Sequence, residues 1–256
     1  MAKQGGMGMQ LLIDGYNIGG DTQQVDKIGA QLSTLEFTDI TEFGHERKIG
    51  LRDGSFETTH FLNVAAARAH AALSPLPTTD RITTIGIPTA TALAIGDPAA
   101  SMVAKQLNYD PTRAADGSLL FKVSASANGF GMEWGRLATA GLRTDTTATN
   151  GTGLDLGTDP SATVSFGLQA YLQVLSFTGT SVAIKLQGSS DNGSGDAFAD
   201  VTGGAFASVT TAPQSQRIAT SAVLAVERYI RVVTTGTFSE CTFLVQVSRN
   251  TVATVF

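Results

Sequence analysis

Residues 226–250 read VERYIRVVTTGTFSECTFLVQVSRN. Side chains along a strand point alternately to two faces, so a hydrophobic period of two marks a half-buried strand. Before the glycine, Tyr229, Arg231 and Val233 share one face, and Ile230, Val232 and Thr234 share the other. After it, Cys241, Phe243, Val245 and Val247 form an apolar stripe opposite Thr242, Leu244 and Gln246. Gly236 between two threonines is a turn signal, so the stretch is predicted as strand, turn, strand. The one cysteine then packs as a small core hydrophobe. The Tyr229/Arg231 face is left for solvent or a neighbouring subunit.

The same texture continues upstream. Residues 170–201 read as a hairpin built on Thr178-Gly179-Thr180. Val182, Ile184 and Leu186 face a core, and Ala183, Lys185 and Gln187 face away. Residues 216–250 supply three strands in this reading. Short strands, Gly turns and no helix signal over 164–250 predict a small β-sandwich, within a module spanning 145–256. Residues 142–163, rich in Thr, Gly, Asp and Asn, read as a linker or extended arm after a first module spanning 1–144.

That first module mixes strands with some helix. Two alternating runs, Leu35–Thr38 and Phe56–Phe61, flank Asp53-Gly54, which is predicted as a tight turn. Asn63, an Ala-rich body and Pro75 predict a helix with its N-cap and its stop. Residues 78–87 read as a strand. In GDPAASMVAKQL, Asp97 and Pro98 signal the start of a second helix. Residues 117–128 read as a strand with Leu119, Phe121 and Val123 on one face.

The chain has 256 residues, of which 42% are hydrophobic and 15% charged. Roughly 25% charged is usual. Surface poor in charge is often surface destined for contact. The net charge is −5, split as 12 basic against 14 acidic residues in 1–144 and 5 against 8 in 145–256. Neither part is a basic platform for phosphates, which need clustered Lys or Arg. The N-terminal stretch carries no signal-peptide pattern, and no stretch approaches the roughly 20 apolar residues of a membrane-spanning helix. The expectation is synthesis in the cytoplasm, solubility until partners are met, and no membrane association.

Reactive chemistry finds little support. His45, His60 and His70 lack ligand spacing. His45-Glu46 begins a zinc-protease signature, but Ile49 stands where the second histidine belongs. The loop holding Asp191, Asn192, Ser194, Asp196 and Asp200 has enough oxygens for calcium, but its spacing matches no EF-hand, and turn chemistry explains it. There is no Gly-x-Ser-x-Gly elbow, and GFGMEWG and GTGLDLG resemble a dinucleotide fingerprint by glycine count alone. Phe130, Met132 and Trp134 read as core or interface, and Arg228 and Arg231 as a solvated or paired sheet face. No residue is expected to be catalytic, to hold a cofactor or to bind a metal, and the chain is not expected to be an enzyme.

Taken in order, four stretches resemble the major tail (tail tube) proteins of long-tailed bacteriophages, siphoviruses of the kind that infect actinobacteria. They are TDITEFGHERKIGLRDGSFETTHFLN (38–63), the segment from GDPAASMVAKQL to GFGMEWGR (96–136), FGLQAYLQVLSFTGTSVAIKLQGSSDN (166–192) and ERYIRVVTTGTFSECTFLVQVSRN (227–250). The resemblance implies a mainly β fold: a tail-tube-like β-sandwich or half-barrel with a flanking α-helix, followed by a C-terminal β-sandwich. It implies a homo-oligomeric virion protein, made in the host bacterial cytoplasm, forming rings that are usually six-fold and stack through loops and arms. The sheets of neighbouring subunits join around a channel. That channel holds a tape-measure protein and then transiting DNA, without specific nucleic-acid binding. By position within the family, residues 32–61 are the expected channel wall and the loop that meets the next ring. A second module that is itself tube-like would give three chains per ring; the all-β texture of 164–250 favours a decorating sandwich. Two other roles compete. One is a capsid-decorating or head-fibre protein. The other is a glycan-binding sandwich using Tyr171, Phe177, Tyr229 and Phe243.

Overall fold

A computed structural model describes residues 6–157 and 166–253. The chain is mainly β. Its strands are β1 (Gln10–Ile13), β2 (Tyr16–Asn17), β3 (Thr22–Glu36), β4 (Arg47–Phe61), β5 (Arg81–Gly86), β6 (Pro98–Gln106), β7 (Asp110–Arg113), β8 (Leu119–Ala127) and β9 (Glu133–Leu137) in the first part. They continue as β10 (Arg143–Asp145), β11 (Thr149–Asn150), β12 (Leu154–Asp155), β13 (Leu168–Ser189), β14 (Ala199–Ala205), β15 (Gln214–Ala219) and β16 (Tyr229–Arg249). Among the described residues they are interrupted by a 3-10 turn (Gly19–Asp21) and one short α-helix, α1 (Ala69–Leu73). The strands join into a single open sheet whose neighbours run antiparallel, in the order β14-β13-β16-β9-β6-β5-β1-β2, with β3, β4, β7 and β8 branching from β6. No helix among the described residues is long and apolar enough to cross a membrane.

The C-terminal part corrects the strand-turn-strand reading. β13 runs unbroken for 22 residues and β16 for 21, and the two pair from Leu168↔Arg249 to Ser189↔Tyr229. Thr178-Gly179-Thr180 and Thr235-Gly236-Thr237 are not hairpin ends. Gly179 pairs with Phe238 and Gly236 with Val182, amid register shifts on either side of Gly179. The shifts at Gly179 are bulges, which bend a strand pair without ending it, and Gly236 lies in regular register beside them. Glycine is needed because the two backbones approach closely there. A Cβ on Gly236 would overlap the Ser181 carbonyl oxygen, and one on Gly179 would overlap Phe238. Gly236 also has a φ of +129°.

The 142–163 stretch is also corrected as far as it is described. Its short strands β10, β11 and β12 run back along β16, pairing near Phe243, Thr234 and Ile230 in turn. Residues 158–163 lie outside the described residues. β14 and β15 run along β13 in the same way. The apolar faces meet in one core. Leu168, Ala170, Leu172 and Val174 from one arm of β13 join Val182, Ile184 and Leu186 from the other, with Cys241, Phe243, Val245 and Val247 of β16.

In the first part, β4, β8, β6, β5 and β1 curl over α1. Ala69, Ala72 and Leu73 share a core with Phe56, Phe121, Val123, Met102 and Ile85. The flanking helix exists but is shorter than its Ala-rich signal. Arg68, not Asn63, is its N-cap, and Pro75 follows its C-cap Ser74. Asn63 instead donates its amide to Asp21 at 2.7 Å. The second predicted helix is strand β6. Asp97 is buried and accepts hydrogen bonds from Thr89 and from the Ala94 amide, so it closes the loop before the strand. Tertiary pairing overrides the helix propensity of the Ala-rich stretch, because β5, β8 and β9 pair with it and bury Ala99, Ala100, Met102 and Ala104. The strands expected over 78–87 and 117–128 are β5 and β8.

The outer face of the first half of β13 and the last part of β16 does not face solvent: Tyr171, Gln173, Leu244 and Gln246 are buried. Leu244 packs with Leu12, Leu93, Ala99 and Leu137 of the first part. Gln173 donates to the Ile82 carbonyl at 2.9 Å and accepts the Gly15 amide at 2.7 Å. Glu133 of β9 accepts from the Tyr171 hydroxyl at 2.6 Å and pairs with Arg217 of β15 at 2.9 Å. Burial, then the neighbouring Glu133 charge, push the Tyr171 hydroxyl above the usual tyrosine range.

Candidate assembly surface

β3 and β4 form a hairpin that outruns the sheet. β8 pairs with β4 only over Ser55–Phe61, and β3 has no other strand partner among the described residues. From Ala30↔Gly54 to Glu36↔Arg47 the hairpin is a two-stranded ribbon capped by the loop 37–46. Asp53-Gly54, read from sequence as its turn, sits mid-strand in β4, where the bare Gly54 backbone lies against Met132. The real reversal is the loop. There Asp39 accepts hydrogen bonds from the Thr41 amide and hydroxyl at 2.7 and 2.6 Å. Those bonds, hydroxyl first, lower the Asp39 carboxyl below its usual range.

A free two-stranded ribbon is marginal in water, and this one has little to hold it. Glu36 bonds His45 at 2.7 Å, and Lys48 lies 4.6 Å over the Phe37 ring. These contacts are exposed, and exposed pairs contribute at most about 1 kcal/mol. Meanwhile Leu32, Leu35, Phe37, Ile49 and Leu51 lie on the ribbon with their side chains exposed. At the loop Ile40 and Phe43 are fully exposed, at 103% and 109%. Covering a side chain of this size contributes roughly 1.5–3 kcal/mol. The dominant unmet interaction on this surface is therefore hydrophobic. Both ribbon edges also present unpaired backbone, a template for another strand. Of the expected wall 32–61, the stretch 32–54 projects and 55–61 lies in the sheet.

The other candidates from sequence are scattered. His60 is buried between the Thr22 and Thr58 hydroxyls, stacked on Phe121 at 5.0 Å. His70 bonds Tyr109 at 2.6 Å, and His45 sits at the hairpin loop. Asp191 accepts the Ser194, Gly195 and Asp196 amides, and Asp200 bonds Lys185 and Gln187, so this loop spends its oxygens on its own closure. Arg228 pairs with Asp155 at 2.7 Å, and Arg231 bonds Gln187 and covers Phe198. Tyr171 and Phe243 are fully buried, which removes two of the four aromatics a glycan face would use. Cys241 is buried in the core, and burial pushes its thiol up to about 12. Phe130 lies against the Arg217 guanidinium, Met132 is buried, and Trp134 is half-exposed. Sequence reading missed the inter-part network of Glu133, Tyr171, Gln173 and Arg217, whose members share no motif.

No protein-family model and no curated protein matches the chain. Solved structures similar to it include a chain of the virion of a native gene transfer agent particle, at 15% identity and TM-score 0.39 over 52% of this chain and 98% of that one. Another is a chain of the anti-feeding prophage cap that terminates its tube, at 8% identity and TM-score 0.41 over 53% and 95%. A third is the SPP1 Dit protein, described as a hub of the adsorption apparatus of phages infecting Gram-positive hosts, at 10% identity and TM-score 0.34 over 94% and 98%.

Proposed function

We propose that this chain is a structural virion subunit that assembles with its own copies into the stacked rings of a phage tail tube. The projecting hairpin carries the reading. A long ribbon with exposed apolar side chains and a fully exposed Ile40/Phe43 tip has no further strand beside it among the described residues. A repeated contact between copies supplies one, and joining edges around a ring leaves none exposed. The order of the motifs and their resemblance to tail tube proteins support the same reading. On this proposal the rings are six-fold and the channel passes a tape-measure protein and then DNA. The net charge of −5 suits a conduit that does not hold phosphates. Residues 1–144 form the tube body, and residues 145–256 are a module carried rigidly on it.

Negative-stain electron microscopy of the purified full-length chain, across a concentration series, tests the reading. Rings or stacked rings with an open pore are expected. A chain that stays monomeric at every concentration, or that only coats a capsid surface, rules out the tube and favours a decorating role.

A further inference from the structure

We propose that His60 is an acid-operated latch at the root of the β3–β4 hairpin: proton uptake by its ring draws the Asp21 carboxylate off the start of α1 and frees that helix. Every group involved belongs to one chain, so the latch is independent of self-assembly. Thr22↔His60 is the first pair of β3 and β4, and His60 is fully buried. The Thr22 hydroxyl donates to the Ile18 carbonyl at 2.9 Å, so toward the ring it can only accept. The Nδ1–H of His60 therefore donates to it, at 3.1 Å. A neutral imidazole that donates from Nδ1 accepts at Nε2, and the Thr58 hydroxyl lies there at 2.7 Å. The hydrogen bonds thus fix one neutral tautomer.

A second ring proton turns Nε2 into a donor that faces a donating hydroxyl. The imidazolium is then a buried charge among neutral groups, and a buried charge needs an opposite one. Two carboxylates act on the ring, Asp21 from the 3-10 turn and Asp26 from β3, and Asp21 attracts it more strongly. Asp26 is held by the Thr59 hydroxyl at 2.9 Å and the Gln24 amide at 2.7 Å. Phe121 of β8 stacks on the ring, and behind it Tyr109 bonds His70 of α1. Arg68 lies at the surface beside Gly20, and Glu57 and Lys122 are exposed on the opposite face of the sheet.

Asp21 is buried and accepts the Asn63 side-chain amide at 2.7 Å and the Ala69 backbone amide at 3.1 Å. The second bond caps a helix of 5 residues whose own N-cap, Arg68, makes no capping side-chain bond. So short a helix depends on tertiary support. Asp21 directly precedes Thr22, so it adjoins the residue that already accepts the ring's hydrogen bond. Turning from Ala69 to the imidazolium satisfies the new charge and leaves the helix start uncapped. Burial lowers the His60 pKa to about 4, so the latch is closed at neutral pH and opens as the pH falls through that value.

The test is NMR on the dilute, unassembled full-length chain with nitrogen-labelled histidine and alanine, titrated from neutral pH to below about 4. At neutral pH His60 is expected to carry its proton on Nδ1. On acidification the Ala69 amide resonance is expected to shift with the same midpoint as the ring, and His60→Gln to lose that shift. Asp21→Asn removes the attracting carboxylate and is expected to move the ring midpoint lower still. A proton on Nε2 at neutral pH, or an Ala69 amide that stays fixed while the ring titrates, overturns the inference. So does an Ala69 shift that persists in His60→Gln, because it then reports the proton of Asp21 itself. If His60→Gln does not fold, Asp21→Asn decides: an unchanged ring midpoint overturns the latch.

Discussion

Gly236 and His60 show how single residues constrain this fold. At Gly236 the φ of +129° and the adjacent Ser181 carbonyl both exclude a side chain. Gly236→Ala should lower stability by about 1–3 kcal/mol, the cost of a strained backbone, in urea unfolding. An unchanged midpoint would mean that the two strands separate easily there. His60 is held neutral by burial, which outweighs the attraction of Asp21 and Asp26 and lowers its pKa from 6.5 to about 4. Below pH 6.5 the unfolded chain binds the proton and the folded chain does not, so stability falls as pH drops from about 6.5 to about 4. The full shift corresponds to about 3 kcal/mol. His60→Gln should flatten that part of the stability-versus-pH curve, read by thermal melts. Cys241 should resist a thiol reagent at pH 8 in the native state, since the thiolate is the reacting form, and react fully once unfolded.

At the scale of elements, the hairpin separates folding from assembly. Ile40→Ser with Phe43→Ser removes two side chains that touch nothing in the isolated chain. Monomer stability should change by no more than about 0.5 kcal/mol. Assembly, followed by light scattering, should be lost. Loss of the monomer fold in the same variant would show that the tip packs within its own chain. The strand texture of 35–38 and 56–61 is legible in sequence, but the reversal is misplaced at Asp53-Gly54. A local turn signal cannot report that Gly54 is needed against Met132. The same limit explains β6: Pro98 after Asp97 is sound helix-start chemistry, yet the flanking strands impose a strand on an alanine-rich run.

For the whole molecule, residues before and after the 142–163 stretch share buried contacts. The Glu133–Arg217 pair, the Gln173 bonds and the Leu12–Leu137–Leu244 cluster span them. Breaking a buried ion pair from one side typically costs about 3–5 kcal/mol. Arg217→Met should therefore lower stability by that amount. It should also broaden or split a thermal transition that is single in the parent chain, as calorimetry would show. An unchanged transition would mean that this pair contributes little to holding the structure together.

The sequence by itself determined the β class, the in-out alternation of β16 and β8, the core place of Cys241 and the absence of a familiar reactive motif. Those properties depend on residues two apart on one strand, a distance that composition and period encode. Tertiary structure alone decided that Gly179 and Gly236 lie inside long strands instead of ending them, and that Gln173 and Leu244 face a second layer. It alone decided that residues 30–54 project as a ribbon. Each depends on which distant strand lies alongside, and Tyr171 meets Glu133 across 38 positions of chain. No local pattern carries that information, because the same alternating stripe can face solvent, a second sheet or another copy.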